Sequence, residues 1–467
     1  MISNDPIVIV GAGIGGLTAA AWLSKKHERV IVVEARSTCG GLASEFQTNG
    51  YCFDAGPYIL LDRPGLEWIF EQLGESLQAQ LDLHSLDEVY QVERNKNPTV
   101  SFFKSLEKTA DHFESLWPKS GKQYLQFTKK MISLYDCLRP LQLIARPRLH
   151  HLIENGGWKK IPFLFQSLSQ VLNRSQLPKE IKDALSIWTH VAGQNASDAP
   201  SALALIPALI HKQGAFVPKE GMAKISKVLE HLGKKLGVEY RYNSMVQKIH
   251  CSNNKISAIE INGELIKTNT VICNASPFGA YHTLLNGIPE KYLLKLQKMP
   301  LQSPGVCAYM AIKGNPQPPY LKFFLPEEEM CRLLVQPGVL DPEKSNTARL
   351  LGPVDHRWAQ KVGLKGQQEY LNRLINEPWW KKEFTETKMI ASRVPNEWSK
   401  DFNLFNNAMN PVMTAKLMRQ GRMAYKSPFA EGLYFCGSAT HPGQWISFCG
   451  ISGILAAQEM LYAKNKN

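Results

Sequence analysis

Residues 6–36 read PIVIVGAGIGGLTAAAWLSKKHERVIVVEAR. The run Ile7–Val10 is short, β-branched and uninterrupted, which suits a strand buried in a parallel sheet. Gly11, Gly13 and Gly16 follow as G-x-G-x-x-G. The first glycine permits a tight turn, the second lets a pyrophosphate approach the backbone, and the third lets a helix pack closely on the strand. The spacing predicts a helix from Ile14 to about Lys26, with its first amides facing the phosphates. A second strand is expected over Val30–Val33. Glu34 then lies 18 residues past Gly16, where a carboxylate can accept hydrogen bonds from an adenosine ribose. The whole reads as a dinucleotide cradle that fits NAD and FAD equally well.

The next stretch, ARSTCGGLASEFQTNGYCFDAGP (35–57), separates the two cofactors. Gly40 and Gly41 come six residues beyond Glu34, where a nicotinamide domain normally begins its next helix. A flavin domain of the amine-oxidase type instead brings a second glycine turn against the dinucleotide. Phe53–Pro57 would then carry backbone close to the ring system.

Taken together, GAGIGGLTAA, VVEAR, GGLA and FDAGP resemble the bacterial-type phytoene desaturase and carotenoid isomerase family of FAD-dependent oxidoreductases. Further stretches agree, in the family's order: LHSLDEVYQVE (83–93), GAFVPKEGMAKISKVLEHLGKKLGVEYRYNSMVQKI (214–249), TVICNAS (270–276) and GLYFCGSATHPGQWISFCGISG (432–453). The resemblance implies an α/β fold: a Rossmann-type FAD-binding domain interleaved with an α+β substrate domain. It implies that Gly11, Gly13, Gly15, Gly16, Glu34, Ala35, Arg36, Gly41 and Leu42 hold the ADP half of FAD. Val246 would meet the adenine, Gly56 and Pro57 would approach the ring, and Gly437, Ser438, Ile446 and Ser447 would meet the ribityl chain and isoalloxazine. A helix starting near Ile446 would stabilise a reduced, anionic ring by about 0.3–2 kcal/mol through its dipole. Three departures stand out: Leu42 replaces a common arginine, Ser438 replaces a carboxylate, and Gln444-Trp445 replaces small residues.

Composition bounds the rest. The 467 residues are 44% apolar and 20% charged, which excludes disordered and collagen-like chains and calls for two or three structural units. No unbroken run of about 18 apolar residues is present, and no signal peptide is read, so no spanning helix is expected. Nine scattered cysteines without a C-x-x-C pair point to reduced thiols in the cytoplasm and against zinc; no metal site is expected. The net charge of +13 favours an anionic membrane surface over nucleic acid, for which there is no motif.

The expected domains are 1–75, 214–275 and 425–467 for FAD, and 76–213 and 276–424 for a substrate and membrane-facing unit. Within the latter, Ile161, Leu164, Phe165, Leu168, Val171 and Leu172 follow helical spacing between basic residues. They are expected to form an amphipathic helix, either in the plane of a membrane or packed on the core. SALALIPALI (201–210) is a candidate tunnel lining with core packing as the alternative, and VCAYMAI (306–312) and TKMIASRV (387–394) are strands of a second sheet roofing the flavin. His441, in THPG, is the candidate catalytic group, with a loop-holding role as its alternative. No second glycine fingerprint offers NADPH a place, so a quinone or dioxygen is the expected electron acceptor. The predicted activity is hydride transfer between FAD and an apolar polyene or isoprenoid drawn from a membrane. An amine oxidase and a non-enzymatic prenyl-binding escort protein are the alternatives.

Overall fold

A computed structural model describes residues 5–94, 98–154, 157–191, 194–314, 319, 321–325, 330–336, 346–382 and 384–465. Strand β1 (Ile7–Val10), helix α1 (Ile14–Lys25) and strand β2 (Val30–Val33) form as their sequence requires. Both strands are buried at every position, as their unbroken β-branched runs demand. They belong to a five-stranded, all-parallel sheet completed by β3 (Glu239–Arg241), β4 (Val271–Cys273) and β5 (Leu433–Phe435), in the order β5-β4-β1-β2-β3. One sheet therefore gathers strands from the start, middle and end of the chain.

Two further helices fix this layer. Helix α2 (Ala223–Lys235) packs against α1, and helix α3 (Ile446–Lys464) crosses α1 at very close range. A Cβ on Gly453 would lie 2.1 Å from the Gly15 carbonyl oxygen, so the contact between α1 and α3 exists only because position 453 has no side chain. By length and composition α3 is apolar enough to cross a membrane, contrary to the expectation that no segment would be. Its apolar residues, including Ile451, Ile454, Leu455 and Met460, are instead buried in the protein core.

A seven-stranded sheet lies apart from the first. Its order is Glu386–Arg393, Val306–Lys313, Thr347–Gly352, Cys331–Gln336, Leu321–Leu325, Glu88–Arg94 and Val100–Phe103. All its pairings are antiparallel except that of Leu321–Leu325 with Glu88–Arg94. Both runs expected to be strands lie in it, 306–312 whole and 387–394 up to Arg393, with Val394 capping the next helix. One face carries Cys307, Tyr309, Phe323, Leu334 and Leu351 into the large core shared with α1 and α3. The other face packs on Trp380 and the helix His356–Asn376.

One sequence expectation needs correction here. The stripe from Ile161 to Leu172 is not one helix. A short turn over Ile161–Leu164 ends at Phe165, and a separate helix, Leu168–Asn173, begins behind a capping box in which Ser167 and Gln170 bond each other's backbone amides. That reciprocal cap is a strong start signal placed in the middle of the periodic run, and it divides it. Leu168, Val171 and Leu172 are core residues, whereas Phe165 is 59% exposed. SALALIPALI likewise packs inward: Ala204, Leu205, Ile206, Ala208, Leu209 and Ile210 are all buried, the core alternative for that run.

Candidate functional site

The glycine turn between β1 and α1 is built around Glu34. Ala12 N–H donates to Glu34 Oε2 (2.7 Å) and Arg36 N–H donates to Oε1 (2.9 Å), so the carboxylate braces the turn from the end of β2. Gly11 N–H closes on the Val33 carbonyl (2.7 Å). A Cβ on Gly16 would sit 2.1 Å from the Gly11 carbonyl, which leaves glycine as the residue that lets α1 start so close to β1. Gly13 caps α1 without any side-chain hydrogen bond, and no acidic residue occupies the first turn. The positive end of the helix is thus uncompensated by the protein, the arrangement that receives a phosphate.

The second glycine pair meets the first. Gly40 N–H donates to the Ala12 carbonyl (2.7 Å), and Gly13 and Gly40 form a parallel bridge. Gly40 has φ of 100°, and a Cβ there would lie 2.7 Å from Ser226 Oγ of α2, so both conformation and space require glycine. Arg36 donates to the Gly41 carbonyl (3.3 Å) and Ser44 Oγ (3.0 Å), and its guanidinium stacks 4.3 Å over Phe402; burial lowers its pKa. Ala35 is half-buried beside it. Leu42, where an arginine is common, packs against the main core. The loop to Val246 runs alongside: Ser244 N–H donates to the Glu34 carbonyl and Asn243 N–H to that of Arg36, leaving Val246 buried against Val33.

Residues 53–58 are pinned from two sides. Asp54 accepts from the amides of Met222 (3.1 Å) and Ala223 (3.2 Å) at the start of α2, a carboxylate at the positive helix end. From the seven-stranded sheet, Arg349 donates to the carbonyls of Asp54 (2.9 Å), Gly56 (3.0 Å) and Pro57 (3.2 Å). Tyr309 donates to the Ala55 carbonyl (3.1 Å). The sheet therefore roofs this loop directly. Gly56 approaches Leu42 so closely that a Cβ would lie 2.5 Å from its carbonyl oxygen.

The chain's last segment closes the cradle. Gly437 N–H donates to Ser452 Oγ (3.0 Å), and Thr440 bonds both Ser452 and the Gly437 carbonyl. Ser438 donates its hydroxyl to Asn410, and its carbonyl accepts from Arg422 (3.2 Å). Helix α3 begins at Ile446; Trp445 precedes it, stacked on Phe448 at 5.1 Å. Ser447 donates to Asp62 Oδ2 (2.8 Å). Burial raises the pKa of Asp62, opposed by Arg139 at 3.8 Å, so this carboxyl takes a proton more readily than an ordinary one. His441 has a loop-holding bond: its Nε2 donates to the Leu141 carbonyl (3.0 Å), and burial pulls its pKa down to about 4. That bond engages one ring nitrogen of the candidate catalytic histidine.

Asn274 is the residue that sequence reasoning passed over. It follows β4 and stands between the glycine turns: a Cβ on Gly13 would lie 2.5 Å from its Nδ2, one on Gly15 2.6 Å from its Oδ1, and one on Gly437 2.7 Å from its Oδ1. Its amide donates to the Val10 carbonyl (2.8 Å) and its Oδ1 accepts from Cys436 Sγ (3.5 Å). The signal was present in the strand TVICNAS, whose asparagine comes immediately after the sheet. Asp54, Asp62 and Arg349 were missed for a different reason: nothing in their sequence neighbourhood names their partners.

This geometry, a Rossmann-type sheet with two interlocked glycine turns and a roofing antiparallel sheet, defines a flavin-binding oxidoreductase fold. Residues 14–318 match the family described as flavin containing amine oxidoreductase, and the chain belongs to that family. It is a flavin-dependent oxidoreductase. Among its relatives, the zeta-carotene-forming phytoene desaturase of Myxococcus xanthus is 25% identical over 501 residues, covering 97% of this chain and 93% of that one. The 4,4'-diapophytoene desaturase of Staphylococcus haemolyticus is 23% identical, covering 97% and 98%. In fold, an oxidoreductase from Methanosarcina mazei matches with TM-score 0.67 at 17% identity, covering 97% of this chain and all of the other. Putrescine-bound putrescine oxidase matches with TM-score 0.66 at 16% identity, covering 98% and 99%.

Proposed function

We propose that the protein is an FAD-dependent oxidoreductase acting on an apolar polyene of the carotenoid type, by desaturation, saturation or isomerisation. The observation that carries this reading is the similarity to phytoene and diapophytoene desaturases, which covers 97% of this chain and 93% and 98% of those two relatives. In this reading Glu34, the uncapped start of α1 and the turns at Gly11–Gly16 and Gly40–Gly41 hold the ADP half of FAD, with Val246 beside the adenine. Gly56, Pro57, Gly437, Ser438, Ile446 and Ser447 surround the remainder. FAD supplies hydride transfer when bound; the chain supplies position, an apolar surface and exclusion of water. The cofactor unit comprises residues 1–75, 214–275 and 425–467, and the substrate unit residues 76–213 and 276–424. A quinone or dioxygen accepts the electrons.

An amine substrate fits less well. The sheet face above the 53–58 loop presents the buried guanidiniums of Arg332 and Arg349, which repel an ammonium group. The uncompensated start of α1 supports a cofactor-holding enzyme over an escort protein. Access from the cytoplasmic surface of a membrane is part of the proposal, since exposing ten methylenes of a polyene to water costs roughly 8 kcal/mol. Ile153, Trp158 and Phe165 are each at least half exposed, and the Lys159 ammonium lies over the Trp158 ring. Apolar tips beside a basic rim suit an anionic bilayer. Flotation with anionic vesicles tests this: W158S/F165S protein should stay in solution while the parent floats, and equal flotation would defeat the assignment of this patch. The activity is tested by expression in a host that accumulates phytoene or a related polyene, followed by pigment extraction. A changed pigment is expected; an unchanged pigment together with turnover of soluble amines would reverse the assignment.

A further inference from the structure

Among the described residues, the seven-stranded sheet buries an arginine, Arg332, whose Nε has no hydrogen-bond partner. Arg332 is 7% exposed, at the centre of the sheet. Its register places it opposite Leu351 and Phe323, on the face that also carries Leu334, Arg349 and Tyr309. This is the face whose Arg349 and Tyr309 bond the 54–57 loop. Arg332 reaches the next residue of that loop: Nη1 donates to the Tyr58 hydroxyl at 3.3 Å, and the guanidinium lies 5.5 Å from the Tyr58 ring. Its Nε has no hydrogen-bond partner, and no carboxylate among the described residues lies within 4 Å of it. Arginine carries five donors and stays charged, so burying it with one weak acceptor is costly. Its directly paired neighbours Phe323 and Leu351, and Leu334 two residues on, are apolar, while Arg349 and Tyr309 spend their donors on the 54–57 loop, so the missing acceptor has to arrive at the tip of something greasy.

We propose that Arg332, aided by Tyr58, binds a carboxylate or carbonyl oxygen at one end of the apolar substrate, so that this enzyme acts on a polyene with an oxygenated terminus. The proposal rests on the polyene reading given above and narrows it. A pure hydrocarbon leaves the guanidinium unpaired when it displaces water from this face. An oxygenated end supplies one or two charge-assisted bonds and fixes which end of a long, featureless chain lies deepest. Registry of that kind determines which carbons face the reacting centre. The apolar neighbours Phe323, Leu334 and Leu351 would hold the adjoining hydrocarbon.

The test uses flavin-loaded protein and two micellar ligands, geranylgeranoic acid and the hydrocarbon of the same carbon skeleton, with affinity read from quenching of tryptophan fluorescence. Wild type should bind the acid about tenfold to a hundredfold more tightly, as expected for bonds to a charged group. R332Q should bring the two affinities together, and R332K should keep part of the preference. Equal binding of both ligands by wild type overturns the proposal while leaving the polyene reading intact, as does a preference that survives in R332Q. If neither ligand binds, the polyene reading fails and this inference falls with it. A flavin absorbance spectrum shifted in ligand-free R332Q, with the acid preference retained, would assign the guanidinium to the cofactor and also overturn it. Should R332Q fail to fold, the wild-type preference and its size in R332K decide the matter.

Discussion

The glycine cradle and the sheet that roofs it hold their shapes by opposite means. In the cradle the deciding contacts are backbone to backbone: Gly16 against the Gly11 carbonyl, Gly40 against the Ala12 carbonyl, Gly453 against Gly15. Specificity there is an absence of atoms. In the roof the deciding contacts are long side chains reaching across to another unit, with Arg349 on three carbonyls and Tyr309 on a fourth. The first arrangement accepts almost no substitution and serves a cofactor whose shape never varies. The second can be retuned residue by residue.

Four substitutions probe that contrast, beginning with the largest effect. G16A drives a methyl to 2.1 Å from a carbonyl oxygen that cannot move without dismantling the turn. It should yield little or no soluble flavin-loaded protein; normal yield and cofactor content would break the claim that clearance rules the cradle. R349M strips donors from three carbonyls of the 54–57 loop. Thermal and denaturant unfolding should show a loss on the order of 3 kcal/mol or more, and an undiminished stability would show that the roof does not pin the loop.

E34A removes the acceptor that braces the Ala12 and Arg36 amides as well as the proposed ribose contact. FAD affinity, measured by titration of apoprotein, should fall about tenfold to a hundredfold. Unchanged affinity would leave Glu34 with a purely structural part. H441Q gives the smallest effect. His441 is held neutral with a pKa of about 4 against an ordinary 6.5, so the unfolded chain takes up its proton first as pH falls. Its contribution to stability is therefore complete above about pH 6.5 and is lost as pH falls towards 4. Glutamine carries no such titration, so the melting temperature of H441Q should drop less between pH 7 and 4, by about 2–4 °C. Some slope remains, because His211 is depressed to about 4 in the same way. An identical pH profile in both proteins would contradict the loop-holding description.

The same contrast explains what could be read from the sequence. Strands β1 and β2 and helix α1 were legible because they are local, whereas the bracing of the turn by the Glu34 carboxylate emerged only from the structure. Glycine spacing and β-branched runs state their geometry within about thirty residues. A second glycine turn against the dinucleotide was expected from its distance to Glu34, but its bridge to the first turn came from the structure. The roof was legible only as strands. That Arg349 spends its donors on a loop nearly three hundred residues away, or that Asp54 caps α2, depends on how distant segments meet. The periodic run from Ile161 to Leu172 misled for a local reason: the Ser167–Gln170 cap breaks the helix while leaving the spacing of apolar residues untouched. Helix α3 shows the converse, an apolar segment whose destination, core or bilayer, is set by the small residues that let it lie against α1.

The most direct test of the whole account is the cofactor content of gently purified wild-type protein, read as flavin absorbance and as FAD released per chain on denaturation. One FAD per chain is predicted, with a yellow protein whose colour survives gel filtration. Colourless protein that also fails to take up added FAD would contradict it, since the interlocked glycine turns would then have been shaped for something else.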